Sequence, residues 1–404
     1  MKRRGYKIAV FVLACAVLCS CMATGADAPS LPATKPETPM TPDPADPVQE
    51  LMDSMTLREK VGQLFLIRPD ALEAALTDEA IADAKAEGVT AMSVTMRETL
   101  RQYPVGGFVL FGKNIESPQQ LKTFVQELGG GCRISRIFGI DEEGGAVARL
   151  ANHESFSLPQ YESMAAVGAT GDTENARQVG LTIGGYLREY GFNLDFAPVA
   201  DVNTNPQNPV IGTRAFGSDP ELVSRMVSAE IEGLHEAGVM SCIKHFPGHG
   251  DTREDTHLGY AATAKTWQEM LSCEILPFEA GIEAGTDMVM AAHITAEGVT
   301  SDGLPASLSC ELLTEKLRGE LHFQGVIITD SLAMGAITEQ YTSAEAAIAA
   351  LRAGVDILLM PWDFCEAFDG IVAAVENGEL SEERLDESLT RILTLKMAYG
   401  LLAG

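Results

Sequence analysis

The chain is short of positive charge and lacks several patterns typical of ligand sites. It has 29 Lys and Arg residues against 57 Asp and Glu residues, for a formal net charge of −28. Nucleic-acid binding needs basic residues opposite the phosphates, so we expect no nucleic-acid partner. No GxGxxG loop follows a candidate strand, which weighs against a dinucleotide-binding sheet. CxxC and HExxH patterns are absent too, and we expect no metal and no cofactor.

Five cysteines, an odd number, lie beyond the first 47 residues. An odd count excludes a framework in which every thiol is paired. Buried free thiols are the favoured interpretation. The five residues are Cys132, Cys242, Cys273, Cys310 and Cys365.

The N-terminal segment has the order of an export signal. Lys2, Arg3, Arg4 and Lys7 precede an apolar run, residues 8–18, that is too short to span a bilayer stably. Leu-Cys-Ser-Cys then follows, ending at Cys21. This order resembles a bacterial lipoprotein signal, with cleavage before Cys21 and lipid on its thiol; a plain secretory signal is the alternative.

Three segments are therefore expected. Residues 1–20 would be the removed signal, and residues 21–47 a lipidated cysteine with a Pro-rich tether that lacks the apolar residues needed to fold. Residues 48–404 would form one domain, held by its lipid outside the cytoplasm at a bacterial membrane. The sequence does not predict the oligomeric state.

Short apolar runs alternate with amphipathic stretches from residue 48 onward, as expected for strands buried on both faces. Eight such units predict a (β/α)8 barrel; an open doubly wound sheet is the alternative. Residues 70–101 are interpreted as a helical crossover plus insertion. The predicted strands are 63–68, 107–111, 136–141, 193–200, 240–245, 287–293, 325–330 and 356–360. The helices predicted between them include 118–128, 173–189, 220–236, 266–284, 312–321 and 344–353.

Polar residues stand at or just past the ends of five predicted strands. Since the strands of such a barrel end at one mouth, these side chains predict a polar pocket there. For any single one of these residues, a helix-capping or turn role is about as good an interpretation as a role in the pocket. The residues are Asp141, Asp201, Lys244, His245, His293 and Asp330.

The stretch from Lys244 to His257, KHFPGHGDTREDTH, is dense in proton-transfer groups. Its Pro-Gly pair excludes a regular helix. In an extended loop Asp255 and His257 point the same way, so the carboxylate can orient the imidazole for acid–base work. Lys244 either forms a structural ion pair with Asp201 or Asp287 or meets substrate oxygens.

Asp330 ends an apolar strand, GVIITD, which would deliver its carboxylate rigidly. That suits a nucleophile, because attack geometry tolerates little error; a helix N-cap is the alternative. Asp141 opens DEEGG, where two glycines permit a turn close to a ligand. A calcium loop is a rival interpretation, but its ligand spacing is missing.

Together these residues resemble glycoside hydrolase family 3, and within it the bacterial β-N-acetylglucosaminidases that act on peptidoglycan fragments. KHFPGHGDTREDTH and GVIITDSLAM carry the resemblance, with DEEGGAVAR and IGTRAFG in support. The resemblance implies a retaining exo-glycosidase with a covalent glycosyl-enzyme intermediate. It also implies peptide bonds in the cis form within KHFP, with Phe246-Pro247 as the candidate.

Residue roles follow from the resemblance position by position. Asp330 would be the nucleophile, His257 the general acid and then base, and Asp255 its partner. The residues that would hold the N-acetylglucosamine ring are Asp141, Arg149, Arg214, Lys244 and His245.

The chain departs from the family pattern at two points, and the second fits the single-domain hexosaminidases and counts against a two-domain β-glucosidase. Ala146 stands where the family often has arginine, and the chain ends soon after its last predicted helix, so no C-terminal α/β sandwich domain is expected. A β-glucosidase or β-xylosidase of the same family, an N-acetylglucosaminide phosphorylase, and a non-catalytic sugar-binding lipoprotein remain as alternatives. A phosphorylase is conceivable because a neutral imidazole, unlike a carboxylate, would not repel incoming phosphate.

Overall fold

A computed structural model describes residues 46–252 and 261–402. Eight parallel strands form its central sheet: β1 Phe65–Ile67, β2 Gly107–Val109, β3 Ile137–Ile140, β4 Leu194–Asp195, β5 Met240–Phe246, β6 Met288–Ala291, β7 Val326–Thr329 and β8 Leu358–Leu359. Strand β1 pairs with both β2 and β8. A parallel bridge between Ile328 and Ile357 brings β7 against the residue before β8. The predicted barrel is thus confirmed, at all eight predicted strand positions.

Helices follow the strands and cover the barrel. The longer ones run Val94–Gln102, Pro118–Gly129, Thr173–Glu189, Pro220–Ala237, Leu276–Glu283, Ser343–Ala353, Phe364–Glu376 and Glu382–Ala398, and Glu311–Glu320 forms a π-helix. Shorter helices are Pro47–Asp53, Leu57–Gln63, Asp78–Ala82, Met164–Gly168, Trp267–Leu271 and Gly335–Thr338, with 3-10 turns at Pro69–Leu72, Gly112–Asn114, Gly212–Arg214 and Ala306–Leu308. None of the helices among the described residues is long and apolar enough to cross a membrane.

Local sequence explains where these helices start and stop. Asp219 caps the Pro220–Ala237 helix by accepting from the Glu221 N–H, with proline at the first helical position. Gly238 and Gly354 end their helices with φ of 78° and 114°, a conformation that costs glycine little. These glycine stops before β5 and β8 were expected from the sequence.

Two neighbouring helices approach closely because glycines face each other's backbone. A Cβ on Gly180 would overlap the carbonyl oxygen of Glu230, and one on Gly233 would overlap that of Arg177. Helices Thr173–Glu189 and Pro220–Ala237 therefore pack backbone to backbone, which fixes the part of the wall behind β4 and β5.

Three sequence expectations were wrong in part. Residues 70–101 are not one helical stretch, because residues 83–93 carry no helix between Asp78–Ala82 and Val94–Gln102. The predicted helix 266–284 is broken at residues 272–275. Strand β4 ends at Asp195, well short of residue 200, and Pro198 lacks the N–H that would extend a strand. A fourth expectation, buried free thiols, was also wrong in part: all five cysteines are free, but only Cys242 is buried, and Cys310 is exposed.

Candidate active site

A polar cavity of about 200 Å³ opens at the carboxyl ends of the barrel strands. Its walls include the predicted nucleophile Asp330, just after β7, and five residues predicted to hold the sugar. The predicted polar pocket is therefore present. The predicted sugar-binding residues that line it are Asp141, Arg149, Arg214, Lys244 and His245.

Lys244 lies at the centre of an ion-pair cluster at the end of β5. Its Nζ is 2.8 Å from Asp141 Oδ1 and 2.5 Å from Glu143 Oε1, and its side chain is only 2% exposed. Arg214 donates to both oxygens of Glu143, at 2.7 and 2.8 Å. Arg149 approaches the other oxygen of Asp141 at 3.4 Å. The partners suggested from the sequence for a structural ion pair, Asp201 and Asp287, are wrong.

Electrostatics keep this cluster ionised. Burial opposes ionisation of Glu143, but the positive charges of Lys244 and Arg214 outweigh it and lower the pKa of Glu143 to about 2. Burial likewise opposes ionisation of Asp141, and Lys244 and Arg149 hold its pKa below the ordinary value. Burial works against the charge on Lys244, yet Asp141 and Glu143 raise its pKa. At neutral pH the floor of the cavity is therefore a fixed array of alternating charges.

Glu143 is the residue that sequence reasoning missed. Residues two apart in an extended segment point to the same side, and Asp141 and Glu143 both reach Lys244. Glu142 between them points the other way and accepts from the N–H groups of Leu150 and Ala151, at 2.8 Å each. The signal that could have identified Glu143 is the order Asp-Glu-Glu before two glycines, in which the first and third acidic residues point to the same side.

The DEEGG turn is supported from behind by a second buried carboxyl group. Asp195, at the end of β4, accepts from the Glu142 N–H at 3.0 Å and is fully buried. Gly144 and Gly145 have φ of 87° and 60°, which lets the short hairpin Glu142–Gly144 and Val147–Ala148 turn back tightly. The hairpin thus places Asp141 and Arg149 on one side of the cavity.

His245 is oriented by Asp201, which follows β4. Its Nδ1 lies 2.6 Å from Asp201 Oδ2, and its Nε2 lies 3.4 Å from Arg214 Nη2. A guanidinium can only donate, so Nε2 is the acceptor and Nδ1 carries the proton that Asp201 accepts. Asp201 also accepts from the backbone N–H of His249, at 2.6 Å. It therefore fixes the ring as well as the loop that follows β5.

His249, for which no role was predicted, also lines the cavity. Its Nδ1 lies 2.6 Å from Thr252 Oγ1. Burial, with help from the nearby His245, lowers the pKa of His249, so a neutral imidazole faces the cavity at neutral pH. His293, by contrast, is bound to Ser307 and to the Ser331 carbonyl, outside the cavity wall.

Asp330 is positioned by the strand that carries it. Its backbone N–H donates to the Ala291 carbonyl of β6 at 2.8 Å, and its Oδ1 accepts from the Ser331 N–H at 2.7 Å. These bonds direct one carboxylate oxygen into its own turn. The predicted acid–base pair, Asp255 and His257, and the predicted lipidation site Cys21 lie outside the described residues.

The peptide bond Phe246-Pro247 is cis, as the family resemblance implied, and Lys244-His245 and Ala197-Pro198 are cis as well. Within the described residues, no group of three or more His, Cys, Asp or Glu side chains is arranged to hold a metal ion.

Comparison with known proteins places this arrangement among glycosidases. The model of the glycosyl hydrolase family 3 N-terminal domain matches residues 56–395. Beta-hexosaminidase A of Pseudoalteromonas piscicida is 34% identical over 333 residues, which are 76% of this chain and 56% of that protein. The beta-hexosaminidase of Hydrogenovibrio crunogenus is 38% identical over 295 residues, 72% of this chain and 81% of that one.

A solved structure agrees with these matches. The family 3 β-N-acetylglucosaminidase of a Paenibacillus species superimposes with a TM-score of 0.78 at 36% identity, and the match covers 87% of this chain and 64% of that chain. This chain thus spans a little over half of the Pseudoalteromonas protein and just under two thirds of the Paenibacillus chain.

Proposed function

Because this chain belongs to glycoside hydrolase family 3, we propose that it is a retaining exo-β-N-acetylglucosaminidase. The observation that carries the proposal is the position of Asp330, at the end of β7, in one cavity with Asp141, Lys244 and Arg214. A carboxylate held on a rigid strand beside an array of sugar-binding donors and acceptors suits nucleophilic attack at an anomeric carbon.

The chemistry runs in two steps in this proposal. An Asp330 oxygen attacks the anomeric carbon, and the bond to the leaving oxygen breaks as His257 protonates that oxygen. His257, oriented by Asp255, then takes a proton from the water that cleaves the glycosyl-enzyme. The roles of Asp255 and His257 rest on the sequence motif alone.

The ion-pair cluster would hold the sugar ring in place. An ammonium group has three donors; Asp141 and Glu143 accept two from Lys244, which leaves one N–H for a sugar hydroxyl. Asp141 supplies carboxylate oxygens as acceptors, and Arg149 and Arg214 supply further donors. Because the charges are already paired, these groups can bind a neutral sugar without a large rearrangement.

The direct test is Asp330→Asn, measured on an aryl N-acetylglucosaminide. We expect kcat to fall by about a thousandfold or more, since an amide cannot form the glycosyl-enzyme. The matched control is Asp83→Asn, at an exposed position away from the cavity, which should keep wild-type turnover. Near wild-type activity in the Asp330 variant would end the proposal.

His257 is tested through the leaving group. His257→Ala should lose much less activity on aryl glycosides whose leaving group departs without a proton than on those that need one. An equal loss on good and poor leaving groups would contradict acid catalysis by this residue.

Sugar and acceptor specificity need a separate panel. Hydrolysis of aryl N-acetylglucosaminide should exceed that of aryl glucoside and xyloside, with free N-acetylglucosamine as the product. The opposite preference would make the chain a β-glucosidase or β-xylosidase. A sugar 1-phosphate formed only when phosphate is present would make it a phosphorylase.

We also propose peptidoglycan fragments or related oligosaccharides as substrates and a lipid on Cys21 as the membrane anchor. The support for the anchor is the basic start, the short apolar run and the Leu-Cys-Ser-Cys order. Cys21→Ser should shift the exported protein from the membrane fraction to the soluble fraction and abolish labelling by a radioactive fatty acid. Unchanged labelling in that variant would refute the anchor.

A further inference from the structure

A second, larger cavity of about 610 Å³ lies at the opposite end of the barrel. Its walls include residues that closely precede strands: Gln63 before β1, Pro104 and Val105 before β2, and Arg136 before β3. The proposed sugar site lies at the other ends of the same strands. Among the residues that the structure describes, the two cavities share none in their linings, so this one needs an explanation of its own.

The lining is basic in a chain that is otherwise strongly acidic. Four arginines and two glutamates of the described residues line this cavity, whereas the whole chain carries a net charge of −28. Both glutamates are already engaged: Glu127 lies 3.4 Å from Arg97, and Glu59 lies 3.8 Å from Arg133. The remaining arginines, Arg101 and Arg136, have no carboxylate partner in the described part of the chain.

Arg136 is the more informative of the two. It is only 7% exposed, and its Nη1 donates to the carbonyl of Leu128 at 2.6 Å and, more weakly, to that of Gly130 at 3.4 Å. Its Nε is buried and has no hydrogen-bond partner among residues 46–252 and 261–402. A buried charge without a counter-ion is costly. An anion in the cavity would supply the missing charge.

We propose that this arginine-lined cavity binds a small organic anion that bears two or more phosphate or carboxylate charges. The planar guanidinium group matches the oxygen pairs of both kinds of anion. The volume falls in the range of small-molecule pockets rather than of single-ion sites. The occupant therefore has several non-hydrogen atoms, with its charged groups towards Arg101 and Arg136.

The test uses the full chain and two probe anions, pyrophosphate and citrate, in calorimetric titrations at low ionic strength. Both should bind to one site, and the affinity should fall as salt is added. Arg101→Gln should weaken binding about tenfold, since a charge-assisted bond is lost. Hydrolysis of an aryl N-acetylglucosaminide should stay unchanged in this variant, because Arg101 is remote from Asp330.

The matched control is Arg225→Gln, an exposed arginine on the Pro220–Ala237 helix and away from the cavity. It removes the same net charge and should leave anion binding unchanged. Arg136→Gln should also weaken binding; if that variant does not fold, Arg101 alone carries the test. Tighter binding of pyrophosphate would indicate a phosphate ligand in the cell, and tighter binding of citrate a carboxylate ligand.

Three results would overturn the proposal. One is the absence of binding at millimolar anion. Another is equal weakening in the Arg101 and Arg225 variants, which would reduce the effect to general electrostatics. The third is binding that N-acetylglucosamine displaces, which would move the anion to the sugar site. The first two results do not depend on whether the proposed hydrolase activity is correct; the third uses the proposed sugar site.

Discussion

Replacing Lys244 with methionine tests whether the ion-pair cluster around Lys244 stabilises the folded protein and its cavity. The change keeps the length of the side chain but removes the ammonium group that lies within 2.8 Å of Asp141 and 2.5 Å of Glu143. Two buried carboxylates would then face each other with only arginines to neutralise them. We expect the folded state to lose stability at neutral pH, and the sugar site to lose one donor.

The size of the effect follows from the pKa of Glu143. Its decrease from 4.5 to about 2 corresponds to about 3 kcal/mol of preference for the ionised form. Arg214 supplies part of that preference, but Lys244 also stabilises Asp141. Removing one partner from a buried ion pair typically costs about 3–5 kcal/mol, and we expect a loss of that order at pH 7.

The loss of stability in the Lys244 variant should depend on pH in a defined direction. Both carboxyl groups have folded-state pKa values below their unfolded ones, so their contribution is present above about pH 4.5 and is lost as pH falls through the folded values. Without Lys244 those folded values rise. The variant can then protonate a carboxyl group near pH 4, and its deficit should be smaller there than at pH 7.

Urea unfolding at pH 7 and pH 4 measures both quantities. The control is Lys316→Met, which breaks a surface ion pair with Glu320 and should cost less than about 1 kcal/mol at either pH. A loss below about 1 kcal/mol for the Lys244 variant at pH 7, or a loss that grows towards pH 4, would refute the reasoning.

Three further outcomes are expected. Asp201→Asn should lower kcat/KM about tenfold or more with little loss of fold, because the amide no longer fixes the His245 tautomer; unchanged kinetics would contradict this role. Gly168→Ala should destabilise the folded protein by about 1–3 kcal/mol, since the added Cβ would overlap a backbone carbonyl. Gly185→Ala, which adds a Cβ in open space on a helix, should stabilise the protein slightly. Equal melting temperatures for the two variants would contradict both expectations. Burial, together with Arg136, lowers the pKa of Lys396 to about 7. The free energy of unfolding of the wild type should therefore rise by about 1.4 kcal/mol per pH unit from pH 7 towards 10. Urea unfolding across this range should show that Lys396→Met loses this rise.

The strands that form the interior of the barrel could be predicted from local composition. A strand buried on both faces has to be a short apolar run, and all eight such runs became strands at the predicted positions. Glycine after a helix also has a local cause, since it accepts positive φ at little cost. Gly238, Gly285 and Gly354 all have positive φ.

Errors arose where local pattern and tertiary context compete. Residues 83–93 are polar enough for a surface helix, but such a helix forms only where packing supports it, and here the chain stays irregular. The predicted helix at 266–284 breaks just before Leu276, where Pro277 starts a new first turn. These two errors lie on the outside of the barrel and leave the site untouched, whereas the early end of β4 lies in the barrel wall.

By itself, the sequence determined the barrel and the strand ends that carry polar side chains, because burial and turn formation depend on neighbouring residues. Only the tertiary structure decided that Lys244 meets Asp141 and Glu143 rather than Asp201 or Asp287, and that Asp201 holds His245. Lys244 and Asp141 are 103 residues apart, and strand order and register bring them together. Residue spacing along one strand carries no information about which side chain lies across a barrel mouth.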